Sequence, residues 1–304
     1  MSNYVELHAQ SAFSFLDGSS SPEDLAEEAA RLGYPALALL DRDSVSGAPR
    51  FYKSCKEAGI KPLVGATITL DDGGSLPLLV QTRTGYQNLC RLITKMKLRA
   101  PKGEGAIQLN EIEEFSSGLV AFARDPASVE PLVRLFGRQN LYLELQRHFD
   151  RDQEALNQAL VETANKHGLP LLATNGARYA KPEARPLLDV LTCIKNKTTI
   201  EAAGRLLSLN SECCLKAADE MARIFKDLPE AAANSLRLYD RLEFTLENLG
   251  YRFPDYPVPA GETMNSYLRK LTDEGARRRY RSYHEKARRQ IERELDLIEK
   301  LNLA

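Results

Sequence analysis

The sequence predicts an α/β fold over residues 4 to about 195, a mostly parallel sheet or barrel built of βα units, with a helical extension behind it. Three observations predict this. Short apolar runs of strand length alternate with amphipathic stretches at intervals of roughly 20 to 30 residues, the repeat of a βα unit rather than of a hairpin. The stretches between the runs carry helix start and stop signals. Past about residue 200 the strand-like runs cease and helical patterns alone continue.

Taken in order, "VELHAQ" opens as a strand whose side-chain alternation presents His8 and Gln10 on one face. "SPEDLAEEAARLG" (21–33) supplies Ser21 as N-cap, Pro22 at the first helical position, an acidic first turn and Gly33 at the stop. "PALALLD" (35–41), "KPLVGATITL" (61–70) and "LPLLVQ" (76–81) read as buried strands. "DDGGS" (71–75) is a turn, because no lysine and helix start follow it as a phosphate loop requires. "GLVAFA" (118–123), "LYLELQ" (141–146) and "LPLLAT" (169–174) are further buried strands, and residues 151–168 repeat the helix logic with a stop at Gly168.

Residues 217–242 read as two helices broken at Pro229, and 251–263 carries three prolines in an extended linker. A final helical block contains Arg277, Arg278, Arg279, Arg281, Arg288 and Arg289, interleaved with Tyr280 and Tyr283. Its mixed charge reads as a solvated helix with intrahelical Glu/Arg pairs; a DNA-facing arm is the functional alternative. The expected organisation is a barrel domain at 1–200, a helical connector at 201–250, and a proline-rich linker with basic helices at 251–304. The ending "LIEKLNLA" lacks a capping glycine or polar tail, which reads as a cut inside a larger protein.

Composition narrows the classes. A formal net charge of −1 with 27% charged residues gives no global basic field, so any nucleic-acid contact must be local. Five cysteines without CxxC spacing indicate a reduced intracellular protein, with Cys213 and Cys214 as ordinary small residues. There is no secretory pattern and no apolar stretch long enough to span a bilayer, so the expected location is the cytoplasm.

The strings "ELHAQSAFSFLDGSSSPEDLAEEAARLGYPALALLDRD", "AGIKPLVGATITL", "TGYQNLCRLIT", "LYLELQRH", "LPLLATNGARYA" and "RPLLDVLTCI" together resemble the polymerase and histidinol phosphatase (PHP) domain that opens bacterial C-family DNA polymerases of the DNA polymerase III alpha-subunit type. "RPLLDVLTCIKNKTTIEAAGRLL" and "YPVPAGETMNSYLRKLTDEGARRRY" look most like the error-prone branch used in damage-induced synthesis. The resemblance runs in order through essentially the whole chain. It implies a distorted seven-stranded βα barrel with helices leading toward a polymerase palm, where magnesium-holding aspartates would lie downstream.

The resemblance also implies a metal cleft, a two- or three-metal phosphoesterase built from clustered His, Asp and Glu. The first motif, His-x-His followed by an acid or histidine, reads here His8, Gln10 and Asp17. Asp-His becomes Asp41-Arg42, with Asp43 next; the Glu of the third strand is Thr67; Asn-Asp-x-His becomes Asn175-Gly176-Ala177-Arg178. Looser alignments place Ser75 and Asp125 at two further ligand positions. Glutamine coordinates poorly, threonine lacks a full charge, and arginine repels a cation. The expectation is therefore a degenerate cleft with no catalytic residue, no metal and no cofactor in this chain. Arg42 and Arg178 would instead act as counter-charges for Asp17, Asp41 and Asp43, the alternative being that both point into solvent. Glu144 and Gln146 share a strand face, and His148 beyond them reads as a surface residue.

By resemblance the parent is a DNA-directed DNA polymerase, a nucleotidyltransferase of DNA replication and damage repair, in which this piece scaffolds rather than polymerises. Its partners would be DNA, a sliding clamp and mutagenesis-cassette proteins, with no membrane. A free-standing metal-dependent phosphoesterase or 3′-5′ exonuclease is the alternative, and it needs ligands that the sequence lacks. A module binding DNA through its C-terminal basic helix is a third reading.

Overall fold

The computed structural model describes residues 4–101, 103–247, 249, 255–280 and 282–304. The chain divides into two units, Met1–Leu246 and Glu247–Ala304.

In the first unit, strands and helices alternate as β1 (Glu6–Ala9), α1 (Pro22–Arg31), β2 (Ala36–Leu39), α2 (Ala48–Ala58), β3 (Lys61–Thr69), β4 (Ser75–Val80), α3 (Arg83–Leu98), β5 (Leu119–Ala123), α4 (Val129–Phe136), β6 (Leu141–Leu145), α5 (Arg151–His167) and β7 (Leu171–Ala173). Helices α6 (Arg185–Lys195), α7 (Ile200–Ala203), α8 (Ala218–Ile224) and α9 (Pro229–Tyr239) follow. The expected Ser21 and Gly168 signals act as caps, and Asp150 supplies a cap not singled out from sequence. Ser21 and Asp24 form a reciprocal capping box on α1, Asp150 accepts from the Asp152 amide at the start of α5, and Gly168 ends α5 in the left-handed conformation.

The seven strands form one sheet in sequential order. It is parallel except at β4, which runs against both β3 and β5. The reason is local: the short 71–74 turn permits a hairpin, whereas a parallel neighbour would need a crossover of a dozen residues. The sheet curls on itself. Among the described residues β1 and β7 share no ladder, but the Gln10 amide donates to the Ala177 carbonyl (2.7 Å) and the Asn175 amide donates to Glu6 (2.7 Å) across the seam.

Strand alternation sorts the apolar residues into two clusters. Outward residues such as Leu37, Val64, Leu78 and Leu143 pack with Leu25, Phe51, Leu89 and Leu160 of the surrounding helices. Inward residues Leu7, Leu63, Leu79, Phe122, Tyr142 and Leu172 fill the lower interior, where Leu238 of α9 and Leu242 join them. Further along the same inward rows the residues turn polar: Leu63 leads to Thr67, Phe122 to Arg124, Tyr142 to Glu144 and Gln146, and Leu172 to Thr174. The interior therefore has an apolar floor and a polar mouth, and for the parallel strands that mouth is at their C-terminal ends, where βα folds place their chemistry.

In the second unit, the expected helical block forms two helices, α10 (Met264–Arg279) and α11 (Glu285–Lys300). Tyr280 ends α10 in an extended conformation, and His284 caps α11 through its ring nitrogen. Arg269 joins the two helices through Asp296 (2.6 Å) and Glu299 (2.9 Å). The part of the predicted linker at 251–254, like Arg281, lies outside the described residues.

Candidate functional site: a cationic barrel mouth

The polar mouth encloses a cavity of about 500 Å³. His8 reaches it through an irregularity in β1. Leu7 points to the floor, so strict alternation would turn His8 outward; a shift of register between Glu6 and Ala9 instead brings both His8 and Gln10 to the mouth.

Buried beneath the cavity is an ion pair. His8 Nδ1 lies 2.7 Å from Glu144 Oε1, and both side chains are almost wholly buried. Glu144 Oε1 also accepts from the Thr174 hydroxyl (2.5 Å) and the Gln146 amide (3.2 Å), while Arg124 Nε stands 3.4 Å from Oε2. Burial pushes the Glu144 carboxyl up, but the charge and hydrogen bond of His8, the Arg124 guanidinium and the Thr174 hydroxyl outweigh it and hold it at about 2. The second ring nitrogen of His8 is 3.1 Å from the Thr67 hydroxyl, which itself donates to the Leu40 carbonyl, and the Gln10 amide meets the same hydroxyl at 3.5 Å.

At the rim Asp17 is held by two cations, Arg42 Nη1 (2.6 Å) and Lys195 Nζ (2.5 Å). Asp41 and Asp43 are not paired with arginine. The Asp41 carboxylate accepts from the Ser11 amide (2.7 Å) and from the Ser11 and Ser14 hydroxyls; burial pushes its carboxyl up against those bonds. Asp43 accepts from the Thr69 amide and hydroxyl, both at 2.8 Å. Arg178 lines the cavity exposed, and among the described residues no carboxylate pairs with it. The counter-charge expectation thus describes Arg42 and Asp17, and is corrected for Asp41, Asp43 and Arg178: serine and threonine donors already satisfy those two acids.

One other expectation changes. His148 is no surface residue; it is half-buried on the cavity wall, with Nε2 donating to the Asn175 carbonyl (2.8 Å) and Nδ1 accepting from the Gln153 amide (3.0 Å). Burial lowers its pKa, and the nearby charges of Arg178, Lys216 and Arg124 add to the effect against the Asn175 bond. Gly176 sits at φ 56°, where an added Cβ would stand 2.5 Å from the Gln146 amide nitrogen. Arg124 and Lys195 were not singled out by sequence. Arg124 continues the inward row Val120, Phe122, so period two carried past the end of the apolar run points to it; Lys195 is 178 residues from Asp17 and has no local signal.

Among the described residues no three His, Cys, Asp or Glu side chains gather as a ligand set for a metal. The side chains at the mouth do not fit the metals that a PHP cleft implies: His8 is spent on Glu144 and Thr67, His148 on Asn175 and Gln153, guanidinium groups stand on Glu144 and Asp17, and Asp150 caps α5. In the second unit the basic residues behave as a solvated face. Arg277 pairs with Asp273 (3.6 Å) and Arg289 with Glu285 (3.1 Å), Arg278 and Arg279 are exposed, and Arg288 lies over the ring of Tyr283, which stacks on Tyr280.

The PHP domain profile matches residues 6–128. Error-prone DNA polymerases of Rhodopseudomonas palustris and Pseudomonas paraeruginosa are 37% and 38% identical over 97% and 99% of this chain, which spans 28% and 30% of their length. One from Bdellovibrio bacteriovorus is 33% identical over 98% of the chain and 29% of its own. Solved structures with a similar fold are more distant. A lesion-specific endonuclease of Pyrococcus furiosus has a TM-score of 0.40 at 17% identity, over 59% of this chain and 49% of its own. An amidohydrolase of Chromobacterium violaceum has 0.38 at 15%, over 57% and 86%. Among the described residues no helix is long and apolar enough to cross a membrane. Residues 6–128 match the PHP domain family, in a chain similar along nearly its whole length to part of the error-prone DNA polymerases.

Proposed function

We propose that this chain is the PHP portion of an error-prone DNA-directed DNA polymerase of the cytoplasm, acting in damage-induced synthesis, and that its barrel is a scaffold rather than a hydrolase. The observation that carries the reading is the replacement of a ligand set by two closed ion clusters, His8–Glu144–Arg124 and Arg42–Asp17–Lys195, in a chain matched along 97% of its length by such polymerases. Clusters of this kind fix the strand ends in place with protein cations. Nucleotidyl transfer, with its magnesium, then belongs to sequence that the longer relatives carry. The arginines of α10 and α11, Arg277, Arg278, Arg279, Arg288 and Arg289, serve as phosphate contacts of the whole enzyme, and a sliding clamp and mutagenesis-cassette proteins are its partners.

Elemental analysis of the purified chain, paired with hydrolysis of a generic phosphodiester in manganese or zinc, tests the reading. The expected result is no retained metal and no turnover. Two or more tightly held metals with turnover would replace the scaffold by a phosphoesterase. In the full-length polymerase, Glu144→Ala should lower melting temperature and primer extension together; loss of extension at unchanged stability would mean that the barrel acts on DNA directly.

A further inference from the structure

We propose that the barrel mouth is a metal-independent binding site for phosphate groups, with Arg42, Arg124, Arg178 and Lys195 as the cations that receive them. The proposal does not depend on the scaffold reading, because a site can hold phosphate whether or not the barrel supports a polymerase. Four observations carry it.

The first is convergence. The four cations come from separate parts of the chain, the ends of β2, β5 and α6 and the loop after β7, and all line one concavity. The second is the charge balance. Two carboxylates line the same cavity, Asp17 and Asp150, and Asp150 is already engaged at the N-terminus of α5. Arg178 is left without a carboxylate among the described residues. An arginine fork facing into a cavity with no counter-ion is geometrically suited to two oxygens of a phosphate.

The third is the lining. Apart from Leu209 the described walls carry no aliphatic side chain, and Gln10, Gln146, Thr67 and Thr69 bring amides and hydroxyls. Small-molecule pockets of this size, roughly 300–1,000 Å³, are mostly apolar. A polar one of about 500 Å³ suits a charged, hydrated ligand larger than a single phosphate ion. The fourth is the crowding of cations at the wall. Burial first, and then the charges of Arg178, Lys216 and Arg124, disfavour the charged form of His148.

Phosphate groups reach such a site either as free pyrophosphate or nucleotide or as the backbone of single-stranded nucleic acid. Phe149, flanked by the cavity residues His148 and Asp150, is 75% exposed at φ 58°, and the lining residue Leu209 is 75% exposed. An exposed ring one residue from two cavity residues is available for the base stacking that accompanies cationic grooves.

The chain is titrated in EDTA with inorganic pyrophosphate by calorimetry, and with a fluorescein-labelled oligothymidylate by anisotropy. Binding of either is expected, falling steeply with salt. Arg178→Ala should weaken it about tenfold, and Arg124→Ala similarly. Among the described residues Arg178 has no side-chain partner to lose, so its variant should keep the wild-type melting temperature and decides the matter if Arg124→Ala folds poorly. Asp17→Asn, which releases Arg42 and Lys195, should tighten binding. Pyrophosphate binding that the cleft variants abolish assigns the site to free phosphates; oligonucleotide binding alone, abolished likewise, assigns it to the polynucleotide backbone. Both support the site. No binding, binding that requires manganese, or oligonucleotide binding that survives Arg178→Ala and is lost in Arg277→Ala/Arg278→Ala/Arg279→Ala would overturn it.

Discussion

The ion pair under the cavity and the ion pair at its rim have the same chemistry and different weights. His8 and Glu144 have side chains 4% and 0% exposed, and Glu144 has four polar partners; Arg42 and Asp17 are 38% and 19% exposed, and Asp17 keeps a second cation in Lys195. A buried pair is expensive to break, because the partner left behind keeps its charge without solvent. A rim pair exchanges its partner for water or ligand at small cost. The lower cluster therefore holds the fold, and the upper one is free to bind.

The sharpest way to break this contrast is Glu144→Ala. It leaves His8 and Arg124 facing an empty acceptor, and the expected loss is about 3–5 kcal/mol in denaturant unfolding. A loss below about 1 kcal/mol would mean that the buried pair contributes no more than a surface one. Next is Gly176→Asp, which places at this position the acid that the PHP resemblance implies. Aspartate tolerates a φ of 56° better than most residues, but its Cβ would displace the Gln146 amide and with it the bonds to Glu144 and Thr174. A loss of about 1–3 kcal/mol is expected, and added manganese should not recover it.

The third prediction uses pH. His148 has a folded pKa below its ordinary 6.5, so its stabilising share is complete above about pH 6.5 and is lost as pH falls through the lowered folded value. Glu144 acts lower, between its ordinary 4.5 and about 2, with the same sign. Glu6 and Asp41, whose carboxyls burial pushes up, act in the opposite sense and favour the fold at low pH. Comparing His148→Gln with the parent isolates the histidine. The variant should lose the part of the slope just below pH 6.5, at most about 1.4 kcal/mol per pH unit. An unchanged slope would remove His148 from the account.

The same contrast explains what the sequence could convey. Strands and caps are written locally: the apolar runs became β1 to β7, and Ser21, Pro22 and Gly168 act where their chemistry predicts. The reversed direction of β4 depends on a turn whose presence is legible but whose consequence for the sheet is not. In the site, the departures from the ligand pattern that the PHP resemblance implies, at Gln10, Arg42, Thr67, Gly176 and Arg178, are visible in one dimension. Their replacements are not. Which cation meets Asp17 is set by α6, far along the chain, and Asp41 meets serines because the 11–14 turn folds under it. The register shift that turns His8 inward has no marker such as glycine in "VELHAQ".

Arg42→Ala is expected to have the smallest effect and separates the two clusters most cleanly. Removing the guanidinium leaves Asp17 with Lys195 and with solvent access, so the loss should be about 0.5–1 kcal/mol, and it should shrink as salt rises. A double-mutant cycle with Asp17→Asn measures the pair itself, since each single variant removes the contact without burying a new charge. A coupling as large as that between His8 and Glu144 would make the rim a second structural lock, and a cation locked to Asp17 would have little to offer a phosphate. A small coupling leaves Arg42 able to turn from Asp17 to a ligand, which is what an anion-receiving mouth above a rigid floor requires.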